Sequence, residues 1–382
     1  MARFGDGLAV HADLLVAAER AVRDATAGLD ARPDLVFAFF ASDDPAAVEA
    51  AGALVAQGSG ARAVLGCSTG GVLGDGRGVE QQSAVSVWAA VLPEASLRAF
   101  HLEVLRSDEG AAVVGMPERE ASDEVVVLLA DPWSFPVEGF VRRLDELSPG
   151  LPVVGGIAHG RAAGATRLVL DGRPVDRGAV GVVLGHVDAR VVVSQGCRPV
   201  GPAMTVTASA GNVLRGLAGE PALLRVQRLL GDLPPGDQAL ATTGLQIGVA
   251  MDEYADEHEQ GDFLVRAVLG TEPETAGIVV GDLVDVGRTV RLQVRDADAA
   301  DAELRTLLAD HGPAGGALLV SCNGRGAHLF GPSHGGASHD VLVTREVLGA
   351  EGVAGFFAGG EIGPVGGRNH LHGFTASVLC LP

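Results

Sequence analysis

The 382-residue chain carries 28 basic and 48 acidic side chains for a formal net charge of −20, and every basic residue is arginine. With no lysine there is no amine for a P-loop phosphate, a Schiff base or a kinase-type ion pair, and so acidic a chain is a poor partner for nucleic acid or an anionic membrane. At 47% hydrophobic and 20% charged residues the composition is globular, and the length predicts two domains.

The N-terminal residues lack the apolar core and cleavage site of a signal peptide, and no window approaches the ~18 uninterrupted apolar residues of a membrane span. Four scattered cysteines, Cys67, Cys197, Cys322 and Cys380, form no C-x-x-C pair. The expectation is a cytoplasmic protein with reduced thiols. Its Arg-only, Ala/Gly-rich usage suggests a bacterium with GC-rich coding.

In chain order, helical periodicity runs from Leu14 through Ala18 and Val22, and returns at Phe140, Val141, Leu144 and Leu147. Leu304, Leu307 and Leu308 mark a third helix, and Val341, Val347 and Leu348 a fourth. Apolar runs at 35–40, 63–65, 85–92, 125–129, 179–184, 190–194, 277–280, 290–294, 318–321 and 371–379 predict strands. Most are apolar on both faces, so the sheets should be covered on both sides. Residues 85–105 and 277–295 read as hairpins. After each comes a strand, a helix and a glycine-pair strand, at 125–156 and again at 318–360, which makes an internal duplication plausible. A Pro/Gly-rich zone from Cys197 to Leu230 places the junction near Ala218, giving domains 1–218 and 219–382. The fold expected is α+β, two domains of mixed sheets flanked by helices in αββα-type layering.

The 55 glycines cluster after strands, where backbone either turns tightly or exposes N–H groups to a ligand. Gly66-Cys67-Ser68-Thr69-Gly70 matches G-x-S-x-G, but the glycine-rich stretch after it cannot form the helix a nucleophile elbow needs. Cys322 closes an apolar strand and is followed by Asn323 and Arg325; a neighbouring cation would lower the pKa of a nucleophilic thiol, while a buried strand-end thiol is inert. His370 and His372 share a strand face, and with Glu361, His334 or His339 would offer metal ligands, although no compact ligand spacing appears and no metal or other cofactor is expected. Arg325 and Glu361 suit the two ends of a zwitterion, carboxylate on guanidinium and ammonium on carboxylate; the plainer alternative is an ion pair between them.

Cys322-Asn323-Gly324-Arg325-Gly326, the run Gly355-Phe356-Phe357-Ala358-Gly359-Gly360-Glu361-Ile362-Gly363-Pro364-Val365-Gly366-Gly367, then Asn369 and Leu371-His372-Gly373-Phe374-Thr375 resemble the FIST family of signal-transduction proteins. Supporting stretches at 66–70, 177–182, 195–201 and 263–266 extend the resemblance over nearly the whole chain. It implies a FIST N-terminal and a FIST C-terminal domain, a sensory role, amino acids as the ligand class, and a separate signalling partner protein. The site expected from the residues themselves is a cavity lined by Cys322, Asn323, Arg325, Gly359, Gly360 and Glu361 with Gly155 and Gly156. Arg325 would anchor a carboxylate, and Glu361 and Asn323 would contact the amine or another polar end. Two rivals stand beside it: an enzyme using Cys322 as nucleophile with His370 or His372 as base, and an interaction scaffold whose glycine loops are merely turns.

Overall fold

A computed structural model describes residues 1–107, 110–160, 163–255, 258 and 261–382. The chain forms two compact units, Met1–Ser194 with Leu304–Pro382, and Gln195–Glu303, in an α+β arrangement that includes mixed sheets.

In the first unit one element is built three times. Strand Leu35–Ala41 is buried along its whole length, as a strand covered on both faces must be. The Asp44 side chain then accepts the Ala46 and Ala47 N–H groups and opens helix Pro45–Ser59, which Gly60 closes in the left-handed region at φ 59°. The chain returns as Ala63–Thr69, parallel to the first strand. The same strand–helix–parallel strand order recurs as Asp123–Ala130, Val137–Leu147 and Val153–Ile157, and as Gly316–Cys322, His339–Leu348 and Gly352–Ala358. Beyond each first strand lie two antiparallel neighbours. These are Ala84–Val91 and Arg3–Val10 in the first repeat, Ala179–Gly185 and Ser96–Ser107 in the second, and Ala376–Leu381 and Arg190–Ser194 in the third.

The open edge of each second parallel strand is closed by a hairpin from a different repeat. The hairpin after Ala63–Thr69 (Gly71–Gly74, Arg77–Glu80) pairs with Gly352–Ala358. The one after Gly352–Ala358 (Glu361–Val365, Arg368–His372) pairs with Val153–Ile157. The one after Val153–Ile157 (Leu168–Leu170, Arg173–Val175) pairs with Ala63–Thr69. The exchange is therefore cyclic. Asn369 holds one hairpin in place, accepting the Val153 N–H at 2.7 Å and donating to the Leu151 carbonyl at 2.9 Å. Residues from all three sheets, including Phe39, Leu65, Trp88, Leu129, Val154, Val320 and Phe356, share one inner core.

One glycine recurs at the same register in each repeat: Gly66 opposite Ala38, Gly155 opposite Leu128, Gly355 opposite Leu319. A Cβ at these positions would stand 2.2, 1.9 and 1.6 Å from the carbonyl oxygen of the partner. The parallel strands approach too closely there for any side chain.

The second unit is inserted between the third repeat's strands Arg190–Ser194 and Gly316–Cys322. Its strands run in the order Cys197–Ala210, Thr289–Arg295, Leu245–Ala250, Phe263–Glu272, Gly277–Val280 and Val213–Leu217, all antiparallel, and the last pairs back to the first to close a six-stranded ring. Its core joins Leu214, Ile247 and Leu292 to Val226 and Leu229 of helix Ala222–Asp232.

The structure differs from the sequence reading in three ways. The apolar runs 85–92 and 96–105 are not a hairpin, since Ala84–Val91 and Ser96–Ser107 belong to different sheets. Gly277–Val280 and Thr289–Arg295 are likewise separated within their ring. Ala218, with φ 51°, turns between Val213–Leu217 and Glu220–Pro221 inside the second unit. The repeat is threefold rather than twofold; its first copy leaves little trace in the sequence because helix Pro45–Ser59 is alanine-rich and shows no clear apolar stripe.

Gly355→Ala should lower the denaturation free energy by about 2–3 kcal/mol through overpacking. Gly231→Ala, in a helix with open space at its Cβ, should raise it by up to ~1 kcal/mol. Denaturant titration of the two variants separates close approach from mere helix propensity.

Candidate functional site

The carboxyl ends of the parallel strands meet at one pole of the first unit, where open α/β sheets characteristically bind ligands. Thr69 Oγ1 donates to the Phe357 carbonyl at 2.8 Å, Ser68 Oγ to the His159 carbonyl at 2.7 Å, and the Ile157 N–H to the Gly360 carbonyl at 2.8 Å. Each bond joins two different repeats. Ser68 of the G-x-S-x-G stretch thus spends its hydroxyl on a backbone carbonyl.

Strand Gly316–Cys322 ends in the turn Asn323-Gly324-Arg325, tied by the Arg325 N–H on the Cys322 carbonyl at 2.9 Å. The Arg325 side chain is fully buried and points away from solvent. Its Nε and Nη2 grip both carboxylate oxygens of Asp340 at 2.8 and 2.9 Å, the bidentate fit guanidinium is built for. Asp340 also accepts Ser321 Oγ at 2.7 Å and faces His339 Nδ1 at 2.9 Å, while Phe330 stacks on His339 and lies under the guanidinium, 5.2 Å from Cζ to ring centroid. Burial alone would raise the Asp340 pKa, but the Arg325 charge and hydrogen bonds, with those of His339, hold it well below the usual carboxylate range. Arg325 is therefore already engaged, and its partner is Asp340 rather than Glu361.

Glu361 is fully buried as well. Oε2 accepts the Thr375 N–H at 3.0 Å and the Thr375 hydroxyl at 2.9 Å; Oε1 has no hydrogen-bond partner among the described residues. Burial pushes this carboxyl up to about 8, against the lowering effects of Thr375, Cys322 and Arg325. The Cys322 thiol adjoins it, a weak donor at best, and burial together with the Glu361 charge raises the thiol to about 12. The Gly324 N–H, 3.4 Å from Sγ, opposes that shift. His372 stands opposite Glu361 across the hairpin, its Nε2 3.0 Å from the Gly363 carbonyl, and His370 lies beside it with ring centroids 5.8 Å apart. Among the described residues no set of three His, Cys, Asp or Glu side chains could hold a metal ion.

The glycines play backbone roles. Gly156 sits opposite Glu361 with Val320 and Ala358 closing on its α-carbon, and Gly155 is the close-approach glycine of its repeat. The Gly359 N–H donates to the Ile157 carbonyl at 3.1 Å, and the Gly360 carbonyl accepts from the Ile157 N–H. A cavity of about 590 Å³ lies elsewhere, among Leu92, Ala95, His186, Val187 and Leu381 at the junctions between repeats. None of the residues nominated from the sequence lines it.

Register makes the repeats comparable position by position. Glu361 opposite Gly156 corresponds to Leu168 opposite Cys67 and Val72 opposite Phe356, both members of the inner core. Two residues beyond the inner-core Phe39, Leu129 and Val320 stand Ala41, Asp131 and Cys322. Two of three repeats thus keep an apolar side chain where the third places a buried glutamate. Sequence reasoning missed Asp340, Thr375 and Asp131; only the last carries a signal, as a polar residue at the end of an apolar strand in the place of Cys322.

A threefold strand–helix–strand unit with an inserted antiparallel ring, and a buried polar cluster at its strand-end pole, is the architecture these residues define. A FIST N domain matches residues 34–220 and a FIST C domain residues 222–364, and the chain belongs to the FIST family, whose domains are signal-transduction sensors. It is similar to an uncharacterized protein of Mycobacterium tuberculosis, 42% identical over 322 residues that cover 83% of this chain and 82% of the relative. An uncharacterized protein of Mycobacterium bovis is 40% identical over equal shares. Among the described residues no helix is long and apolar enough to cross a membrane.

Arg325→Ala should cost about 3–5 kcal/mol, because it strands the buried Asp340 charge; adding Asp340→Asn should recover part of that in a double-mutant denaturation cycle. Glu361 has the opposite pH signature. Its folded pKa of about 8 exceeds the unfolded value of 4.5, so its contribution is complete below pH 4.5 and is lost as pH rises through 8. Melting scans should show stability falling across that window, with a flatter profile in Glu361→Gln.

Proposed function

We propose that this protein is a small-molecule sensor, binding an amino acid or a similar small zwitterion at the strand-end pole and passing the signal to a separate partner protein. The observation that carries the reading is the half-satisfied Glu361 carboxyl. A buried oxygen without a hydrogen bond is costly to maintain, and an incoming ammonium would complete it with charge-assisted hydrogen bonds. Cys322, Asn323, Gly359 and Gly360 flank that carboxyl and would line the bound molecule. Arg325 acts from behind, fixing Asp340 and the turn that presents Cys322 and Asn323. A raised thiol pKa, with Cys322 only 5% exposed, weighs against the alternative of a cysteine nucleophile, which needs a thiolate in reach of substrate.

Calorimetry against a panel of amino acids tests the proposal. One or more should bind, and Glu361→Gln should abolish the heat. Because an ammonium is held by the ionised carboxylate, affinity should rise roughly tenfold per pH unit up to about 8. A panel that gives neither heat nor thermal shift at any pH would overturn it.

A further inference from the structure

Glu361 is fully buried, so a ligand reaches it only where the backbone over it can move. In each repeat a three-residue crossing carries the chain from the exchanged hairpin into the next sheet, at 81–83, 176–178 and 373–375. Each crossing holds one residue in the left-handed region: Gln81 at φ 57°, Gly178 at φ 81° and Phe374 at φ 67°. Glycine bears that conformation without steric cost, whereas a bulky aromatic residue does not. The repeat with the half-satisfied carboxyl is the one that sets a phenylalanine there, against a bias of roughly tenfold in population.

The backbone of Phe374 is tied to the site on both sides of its peptide units. Its carbonyl accepts Arg325 Nη1 at 3.4 Å, from the same guanidinium that grips Asp340, and its N–H lies on the Cys322 thiol beside Glu361. The next residue is fixed: Thr375 gives its N–H and hydroxyl to Glu361 Oε2, and its carbonyl accepts the Cys322 N–H at 2.9 Å. On the other side His372 is buried, its Nε2 3.0 Å from the Gly363 carbonyl across the hairpin. Between these two anchors lie only Gly373 and Phe374, both half-buried. Gly373 has open space where a Cβ would stand, so the backbone on that side is free to rearrange.

We propose that Gly373–Phe374 is the gate of the Glu361 site, a strap held shut in a strained turn by Arg325 and Cys322. It opens by rotation of Phe374 to extended backbone, with Gly373 absorbing the change and both anchors staying in place. This rests on the reading that Glu361 receives the ligand. Opening exposes Cys322, so alkylation of the intact, ligand-free protein by iodoacetamide, read cysteine by cysteine in a mass spectrometer, reports it. Cys67, wholly buried in the inner core, reports global unfolding in the same sample. Cys322 should react roughly tenfold faster than Cys67 or more, at a rate that stays flat in urea below the unfolding transition, because the rotation exposes little surface. Phe374→Val, β-branched and intolerant of positive φ, should label Cys322 roughly fivefold faster than Phe374→Asn, which accepts that conformation. Phe374→Ala takes the place of the valine variant if that protein melts early. A Cys322 rate that climbs with urea in step with Cys67, or equal rates in the two variants, overturns the gate. The labelling needs no ligand, so the gate can fail while an amino acid still binds. An amino-acid panel without heat, beside a flat Cys322 rate, overturns the ligand reading and leaves the opening of the strap standing.

Discussion

The first unit depends on the cyclic exchange of hairpins. Each second parallel strand would otherwise present an unpaired edge, with a row of unsatisfied N–H and C=O groups that invites association. Here every such edge is covered by a hairpin from another repeat, so no repeat completes its sheet alone. The exchange also explains why the three inner faces can share one core: each crossing chain is anchored in two sheets at once. A long apolar strand is then safe to build, because its edge is never free.

The price of that closeness falls on three glycines. At Gly66, Gly155 and Gly355 the partner carbonyl occupies the space a Cβ would need, and the restriction recurs at the same register because the same packing recurs. Glycine pairs that from sequence suggest a ligand cradle thus include residues whose first duty is to let two strands approach. The repeats serve as controls for one another in the same way. Where all three agree, the residue answers to packing; where one departs, as Glu361 does from Val72 and Leu168, a polar group is held against the local preference.

Two buried carboxylates a short distance apart in the third repeat show how environment divides their roles. Asp340 is met by a guanidinium, a hydroxyl and an imidazole, and stays ionised. Among the described residues Glu361 has Thr375 on one oxygen, a thiol beside it and the Arg325 charge at longer range, and burial holds its proton up to about pH 8. The first is complete and structural. The second is incomplete, and incompleteness in a buried polar group is what a ligand can remedy.

Much of the fold was legible. Apolar runs such as 35–40, 125–129 and 318–321 announced strands covered on both faces, and the strand–helix–strand order of two repeats followed from periodicity. The first repeat escaped because alanine-rich helices carry little contrast between faces. The expected hairpins failed for a different reason: Ala84–Val91 and Ser96–Ser107 are close in sequence, but their pairing partners lie in separate sheets. Of the site, Cys322 and Glu361 were visible as a thiol and a charge at the ends of apolar strands. Asp340 was not, since no periodic spacing links it to Arg325 across the intervening turns.

By itself, then, the sequence determined the acidic, lysine-free character of the protein, its buried strands, and the few polar residues set into them. Only the tertiary structure decided which of those polar residues meet. Hydrophobic burial is a local property of a run of side chains, readable from the run; the partner of a hairpin or of a guanidinium is chosen by long-range contacts. That is why Arg325, the residue the composition singled out for a ligand carboxylate, is found holding Asp340.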